Sequence, residues 1–370
     1  MSSKVPKSEL KYWIGFNQLP IIGPVRLQKL LNYFGDLKAA WHAGQKGLLA
    51  AGIEEKISSQ IINLKSTINP EAEADKVEKA NVKTVTIKDD TYPHLLKEIY
   101  APPPLLYYLG ELNNLRPKNL AVVGSRKISE YGRLVTAKMV SDLVRQGFVI
   151  TSGLAFGIDA CAHTTTLENH GTTVAVLGCG LQQIYPASHR NLAKKITLEG
   201  GLIFSEFPIT MPPLKHNFPI RNRLISGLSL GTLVIEAHEK SGALITAAYA
   251  LEQGREVFAV PGNIFHIGSA GPHRLITSGA RLVNSITDII ETLNVETLKE
   301  KQTAAPTPSV TPTEKKIIEI LLDGPLHVDK IVQYVRLDIS VVNANLSVME
   351  IKGLIKHIGS NVYSTTAQLS

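Results

Sequence analysis

Cysteine is scarce: Cys161 and Cys179 are the only two in 370 residues. Two thiols cannot build a disulfide framework, and neither sits in a CxxC or Cys/His spacing that would hold zinc, so no structural metal is expected. Long apolar runs are also missing. No stretch approaches the ~18 residues of a membrane span, and the opening Met1-Ser2-Ser3-Lys4-Val5-Pro6-Lys7 has no apolar segment of the signal-peptide kind. A soluble, cytoplasmic protein with no membrane partner is expected. No G-x-x-x-x-G-K-[ST] occurs, and no G-x-G-x-x-G follows the first strand of the central region, so NTP hydrolysis and ordinary dinucleotide binding drop out and no cofactor is expected.

What is present is an ordinary globular composition, 44% hydrophobic and 19% charged, with a net charge of +7. The charge is unevenly placed. Residues 1–117 hold 15 basic and 12 acidic groups, 118–310 hold 18 and 14, and 311–370 hold 6 and 6, so the last part is neutral. In the central block no acid lies between Glu206 and Glu236, whereas Lys215, Arg221 and Arg223 fall in that gap. This is the one local basic cluster, compatible with nucleic acid.

The organisation reads as three parts and a linker. Residues 1–66 read as short helices: after the Gly- and Pro-bearing turn Leu19–Pro24, Val25, Leu27, Leu30, Leu31 and Phe34 recur at helical spacing until Gly35. A small helical packing domain is one reading, and a helix–hairpin–helix presenting N–H groups to a DNA phosphate is another. Thr84–Ile87 and Leu105–Leu109 read as edge strands that lead into the next domain, 80–293. From 118 to 290, apolar β-rich runs alternate with longer helical segments. Runs without polar alternation are strands buried on both faces, so an α/β, Rossmann-like doubly wound parallel sheet is predicted. Residues 294–312 are too polar and Pro-rich to fold and read as a linker. Over 313–370, Thr313 is the predicted N-cap of a first helix, followed by Val328–Val335, Ile339–Lys352 and a hairpin, the order of a winged helix.

Ligands of an open parallel sheet bind at the carboxyl ends of its strands. Those ends read Gly124-Ser125-Arg126, Ser152-Gly153-Leu154-Ala155-Phe156-Gly157, Gly178-Cys179-Gly180, Ser205-Glu206-Phe207, Glu236–Gly242 and Pro261-Gly262-Asn263. Small residues there expose backbone N–H groups and let an anion approach closely. Tyr185-Pro186 and Lys215–Arg223 add cations, amides and aromatics on flanking loops. Phe218 before Pro219 at a helix start can expose a ring to a base while Lys215 meets phosphate, the composition of a single-strand platform. Phe218 plugging the core, with the arginines on a solvated helix face, is the bland alternative.

Taken together, these stretches resemble the DNA-processing protein A family (DprA, also called Smf). The resemblance runs through V-V-G-S-R (122–126), S-G-L-A-F-G-I-D (152–159), I-Y-P-A-S-H-R-N-L (184–192), S-E-F-P (205–208), N-F-P-I-R-N-R-L-I-S-G-L-S (217–229), K-S-G-A-L-I-T-A (240–247) and G-R-E-V-F-A-V-P-G (254–262). It implies a helical SAM-like N-terminal domain, a Rossmann-like centre and a winged-helix C-terminal domain. It also implies a non-enzymatic protein that binds single-stranded DNA, protects incoming DNA and loads the RecA recombinase during natural transformation, as a homodimer. Carried over by position, Arg126 and Lys215 would meet phosphates and Phe218 a base. Gly124, Ser125, Ser152, Gly153 and Asn222 would line the groove, and Arg221, Arg223, Lys240, Ser241 and Gly242 complete the DNA-facing set. Gln182-Gln183, Ile209-Thr210 and Pro272-His273-Arg274 depart from the family pattern, the last near where family members self-associate.

Two rivals remain open. Gly231-Thr232-Leu233-Val234-Ile235-Glu236 is similar to the nucleotide phosphoribohydrolases, in which a carboxylate works on an N-glycosidic bond, although the P-G-G turn of those enzymes is replaced here by Ser226–Leu230. The other is a nucleotide-sensing regulator whose winged helix grips duplex DNA. His163, His189 and His238 lie on separate loops without ligand spacing, so no metal site is assigned to them.

Overall fold

The computed structural model describes residues 5–295, 311–322, 324–352, 354–359 and 361–365. They fall into two compact units, one on each side of the Pro-rich stretch. Most of that stretch, 296–310, lies outside the described residues.

The first unit opens with six helices, α1 (Lys7–Asn17), α2 (Pro24–Phe34), α3 (Leu37–His42), α4 (Gln45–Ala50), α5 (Glu55–Lys65) and α6 (Pro70–Lys79). Pro24 stands at the first turn of α2, where its missing N–H costs nothing, and Gly35 ends the helix at φ 77°. Asp36 caps α3 by accepting from Ala39 N at 2.7 Å. These helices share one core with a face of the sheet: Trp13, Phe16 and Leu30 belong to the same apolar cluster as Tyr107, Ala175, Leu177 and Ile203.

The sheet follows as β1 (Lys83–Thr86), α7 (His94–Lys97), β2 (Leu105–Gly110), β3 (Asn119–Val123), α8 (Glu130–Arg145), β4 (Val149–Ser152), α9 (Ile158–Glu168), β5 (Thr173–Val176), α10 (Arg190–Leu198), β6 (Leu202–Ser205), α11 (Asn217–Gly227), β7 (Gly231–Val234), α12 (Gly242–Glu252), β8 (Glu256–Ala259), α13 (Ala270–Thr277), β9 (Arg281–Leu282) and α14 (Ile286–Leu293). Strand order is β1-β2-β6-β5-β4-β3-β7-β8-β9, parallel from β6 through β9. Every residue of β3 to β7 is buried, as the unbroken apolar runs predict. One expectation is corrected. β2 is not an edge strand: it pairs antiparallel with β1 on one side and with β6 on the other, Leu109 opposite Ile203. The order reverses between β3 and β7, so the ligand crevice of this fold class opens at the carboxyl ends of those strands and their neighbours.

The second unit comprises α15 (Pro312–Leu321), β10 (Leu326–His327), α16 (Val328–Val335), α17 (Ile339–Ile351), β11 (Ile355–His357) and β12 (Val362–Thr365). Its core of Ile317, Leu321, Ile331, Val342, Leu346, Met349 and Ile355 is its own. β10 joins the hairpin as a third strand, Leu326 opposite Tyr363. The N-cap of α15 is Thr311 rather than Thr313. Pro312 then stands at the first helical position, and the Glu314 carboxylate accepts from Thr311 N at 2.7 Å, a complete capping box.

Candidate functional site

The carboxyl ends of β3, β4 and β5 meet the first turn of α11 in one cleft, lined by Arg126, Gly153, Phe156, Tyr185, Phe218 and Arg221. Phe218 is half-buried. Gly178 is kept small by it, since a Cβ there would stand 2.8 Å from the ring. The Arg126 guanidinium carbon lies 5.7 Å from the Phe218 ring centroid, that of Arg221 lies 6.0 Å away, and the Tyr185 ring packs at 5.5 Å with a 47° tilt. The ring is held between cations and a second aromatic. The His216 side chain makes no capping hydrogen bond to α11, so the positive end of the helix opens beside the ring.

The two arginines have different employment. Arg126 is exposed, and so are Lys215 and Lys240. Arg221 is 4% exposed and its donors are spent inside: Nη1 donates to Gly153 O at 2.7 Å and to Val176 O, and Nε donates to Asn222 Oδ1 at 3.2 Å. Asn222 passes the connection on, donating to Gly242 O at 3.2 Å. Opposite Arg221, the buried Asp159 accepts from Gly153 N at 3.1 Å and from Ala155 N at 3.3 Å. Gly153 lies between guanidinium and carboxylate, and a Cβ on it would come within 2.8 Å of each. Burial pulls Arg221 down to about 10, so it stays charged at neutral pH. The same burial raises the Asp159 carboxyl, against the opposing pull of Arg221.

Other residues expected at the groove serve the frame. Ser152 Oγ donates to Val122 O at 2.7 Å, Ser125 Oγ donates to Lys127 O at 2.8 Å, and Ser241 caps α12. Gly124 has no room for a side chain, which would meet Ile158 at 2.5 Å. Arg223 is not brought to the cleft: its guanidinium is paired with Glu206, and their side chains are only 12% and 9% exposed. The basic cluster of the sequence therefore divides into an exposed lysine, a buried scaffold arginine and a buried ion pair.

Glu236 does not face the cleft either. Its carboxylate accepts from Ser129 N at 3.1 Å and from Ser129 Oγ, while Ser129 Oγ in turn accepts from Gly132 N at 3.0 Å as the cap of α8. The carboxylate fastens a helix start and also lies 3.8 Å from His266 Nδ1, a bracing role that matches the bland reading of Glu236 rather than work on an N-glycosidic bond. The three histidines are apart in role. His163 is fully buried, with Nδ1 2.7 Å from Thr173 Oγ1, and burial pulls it down to about 3. His189 Nδ1 donates to Leu154 O at 2.9 Å, and His238 is exposed. Among the described residues no group of three His, Cys, Asp or Glu is placed to hold a metal. Burial pushes the Cys179 thiol up to about 11, away from redox reactivity.

Comparison with known proteins decides the lineage. A family model for DNA recombination-mediator protein A matches residues 83–294, and one for the DprA winged helix domain matches 301–359. The chain belongs to this family. It is 37% identical to protein Smf of Synechocystis over 94% of this chain and 96% of that one. Over 59% of this chain and 58% of that one, it is 48% identical to protein Smf of Escherichia coli. The crystal structure of DNA processing protein A from Streptococcus pneumoniae superimposes with a TM-score of 0.68 at 36% identity, covering 78% of this chain and 98% of that one. DNA processing protein A from Helicobacter pylori, described for its single-stranded DNA binding mode, gives a TM-score of 0.52 at 29% identity, over 58% of this chain and 95% of that one. The family is one of recombination mediators rather than enzymes, and the C-terminal unit is its winged helix. No helix among the described residues is long and apolar enough to cross a membrane.

Sequence reasoning passed over Asp159, whose carboxylate braces the glycine-rich turn, and Phe156, which lines the cleft. An aspartate two residues beyond that turn and an aromatic inside it were the available signals.

Proposed function

We propose that this protein binds single-stranded DNA along the carboxyl edge of its sheet, with Arg126 and Lys215 on phosphates and Phe218 against a base. The observation that carries this reading is the half-buried Phe218 ring beneath an exposed Arg126 guanidinium 5.7 Å away. Arg221 backs the ring from inside, so the platform stays in place when the surface is empty. Arg221 and Asn222 position the groove; Lys240, beside the start of α12, extends its charge; Arg223 braces from behind. The Helicobacter relative's printed binding mode supports the ligand class.

Gel shift or fluorescence anisotropy with matched single-stranded and duplex oligonucleotides, competed with nucleoside monophosphates, tests it. Single strands are expected to bind well ahead of duplex, with affinity falling as salt rises by about 0.7 counterion per phosphate contact. Arg126→Ala and Lys215→Ala should each flatten the salt slope by roughly one contact, and Phe218→Ala should cost about 1–3 kcal/mol with the slope little changed. Equal affinity for both DNA forms rejects the reading.

The finer role follows the family: protection of incoming single strands in the cytoplasm and loading of RecA during natural transformation, checked by whether the protein lets RecA displace a single-strand-binding protein. Self-association near α13 is supported by an apolar patch before it. Ile264, Phe265 and Ile267 are 77%, 91% and 77% exposed. Sedimentation of a Phe265→Asp variant as a monomer would support a homodimer built there, and unchanged assembly would remove that surface.

A further inference from the structure

We infer that Phe156 is a second base platform, so that the cleft takes two stacked bases of one strand rather than one. This rests on the single-strand reading of the cleft. Phe156 is 47% exposed, although it sits in a glycine-rich strand-end turn where a small polar residue would satisfy the backbone equally well. It lines the same cleft as Phe218, Tyr185 and Arg126. Scattered exposed apolar side chains need no explanation, but several aromatics converging on one charged cleft do.

The turn that carries Phe156 is held on every side. Leu154 adopts φ 56° and Gly157 φ 77°, so residues 155 and 156 stand between two left-handed positions. Gly157 packs so closely on the first loop that a Cβ would meet Ser125 O at 2.2 Å and the Arg126 carbonyl carbon at 2.8 Å. Phe156 is thereby fixed next to the backbone that carries the phosphate-facing Arg126. Ile158 N donates to Ser125 O at 3.1 Å, Asp159 holds Gly153 N and Ala155 N, and Ala160 N donates to Ala155 O at 3.2 Å. The ring itself is braced by His189, whose own ring lies 4.9 Å away at 67° and is pinned by its Nδ1–H on Leu154 O. A ring already braced by a neighbour loses less conformational freedom when a base settles on it, which favours stacking over adaptable packing.

The chain provides a clean optical probe. Its two tryptophans, Trp13 and Trp41, are 0% and 9% exposed and belong to the helical core, so a Phe156→Trp protein reports the cleft against a constant background. Titration with oligothymidylate about 10 nucleotides long should quench the added emission stoichiometrically. Phe156→Ala should weaken binding by roughly 5- to 150-fold, Phe156→Tyr should restore it, and the Ala variant should lose nothing on a strand whose bases are replaced by abasic sites. Unquenched emission, unchanged affinity of Phe156→Ala, or an equal loss on abasic strands overturns the inference, the last by returning Phe156 to a structural role. If the wild-type protein binds and Phe218→Ala weakens it while Phe156→Ala does not, only the second platform fails. Absence of wild-type binding removes both.

Discussion

The carboxyl edge of the sheet and the third helix of the winged-helix unit are both places where a protein of this lineage would be expected to meet DNA, and they are built on opposite terms. At the sheet edge, exposed cations stand over a buried polar frame, in which Arg221, Asp159 and Asn222 are consumed by backbone groups. On α17, Ile339, Val341 and Val348 are exposed at 49%, 43% and 45%, together with Ser340, Asn343, Ala344, Ser347 and Glu350. A helix docked in a major groove needs cations for the phosphates. This one offers a largely apolar face with one acid and no cation, within a stretch, 311–370, whose 6 basic and 6 acidic residues cancel. The fold therefore places a reading helix without supplying the charge, and the sheet edge supplies charge without any duplex-reading element.

The largest test of this contrast sets a buried arginine against an exposed one. Arg221→Ala leaves the Gly153 and Val176 carbonyls and the Asn222 amide oxygen without their donor in a closed interior, and each buried acceptor left unpaired costs about 1–3 kcal/mol. Arg126→Ala removes an exposed side chain that lies over the Phe218 ring, so its stability should change by no more than about 0.5 kcal/mol while strand affinity falls. Urea unfolding of both variants checks it. Equal stability losses would erase the distinction between frame and ligand.

Next in size is the pH response of the same frame. His163 is held at about 3, well below the 6.5 of an unfolded histidine, so between those values the unfolded chain binds the proton and the folded one does not. Its contribution is complete above pH 6.5 and is lost as pH falls, with a slope approaching about 1.4 kcal/mol per pH unit. A His163→Asn protein, neutral in both states, should show that much shallower a loss between pH 6 and pH 4. Parallel curves for the two proteins would mean that the imidazole is not desolvated.

Much of this was legible in the chain. The apolar runs between 118 and 290 announce the parallel sheet, because strands buried on both faces, as β3 to β7 are, must be largely apolar. Arg126 is legible because it follows a strand end and Phe218 because it opens a helix beside a lysine, whereas Phe156 is not singled out by its place in a glycine-rich turn. What stayed hidden depends on neighbours distant in sequence. Arg221 and Arg223, two residues apart in one basic cluster, differ from Lys215 because the Gly153 and Val176 carbonyls and the Glu206 carboxylate arrive from elsewhere in the fold. β2 was read as an edge strand because nothing local tells Leu105–Leu109 that β6 will pair with it. β10, two residues long, is too short for any periodicity. The cap at Thr311, by contrast, has a local signature, since Pro312 follows it and Glu314 stands three residues on.

That cap gives the smallest effect. Thr311 Oγ1 accepts from Glu314 N at 3.2 Å, and the buried Glu314 carboxylate also receives Lys352 Nζ at 2.8 Å from the end of α17. The lysine holds the Glu314 carboxyl below its usual range. Thr311→Ala should therefore cost about 1 kcal/mol, the usual value of an N-cap, and only in the unit whose core is Ile317, Leu321 and Ile331. If the winged helix is a protein-contact or accessory module, the substitution should leave single-strand affinity where it was. A chain ending near residue 300 should likewise keep most of that affinity, and the isolated 311–370 segment should bind duplex only weakly at physiological salt. Duplex binding by that segment at micromolar affinity or better, or loss of single-strand binding in the folded truncation, would show that α17 meets DNA through its apolar face and that net charge is the wrong guide to this domain.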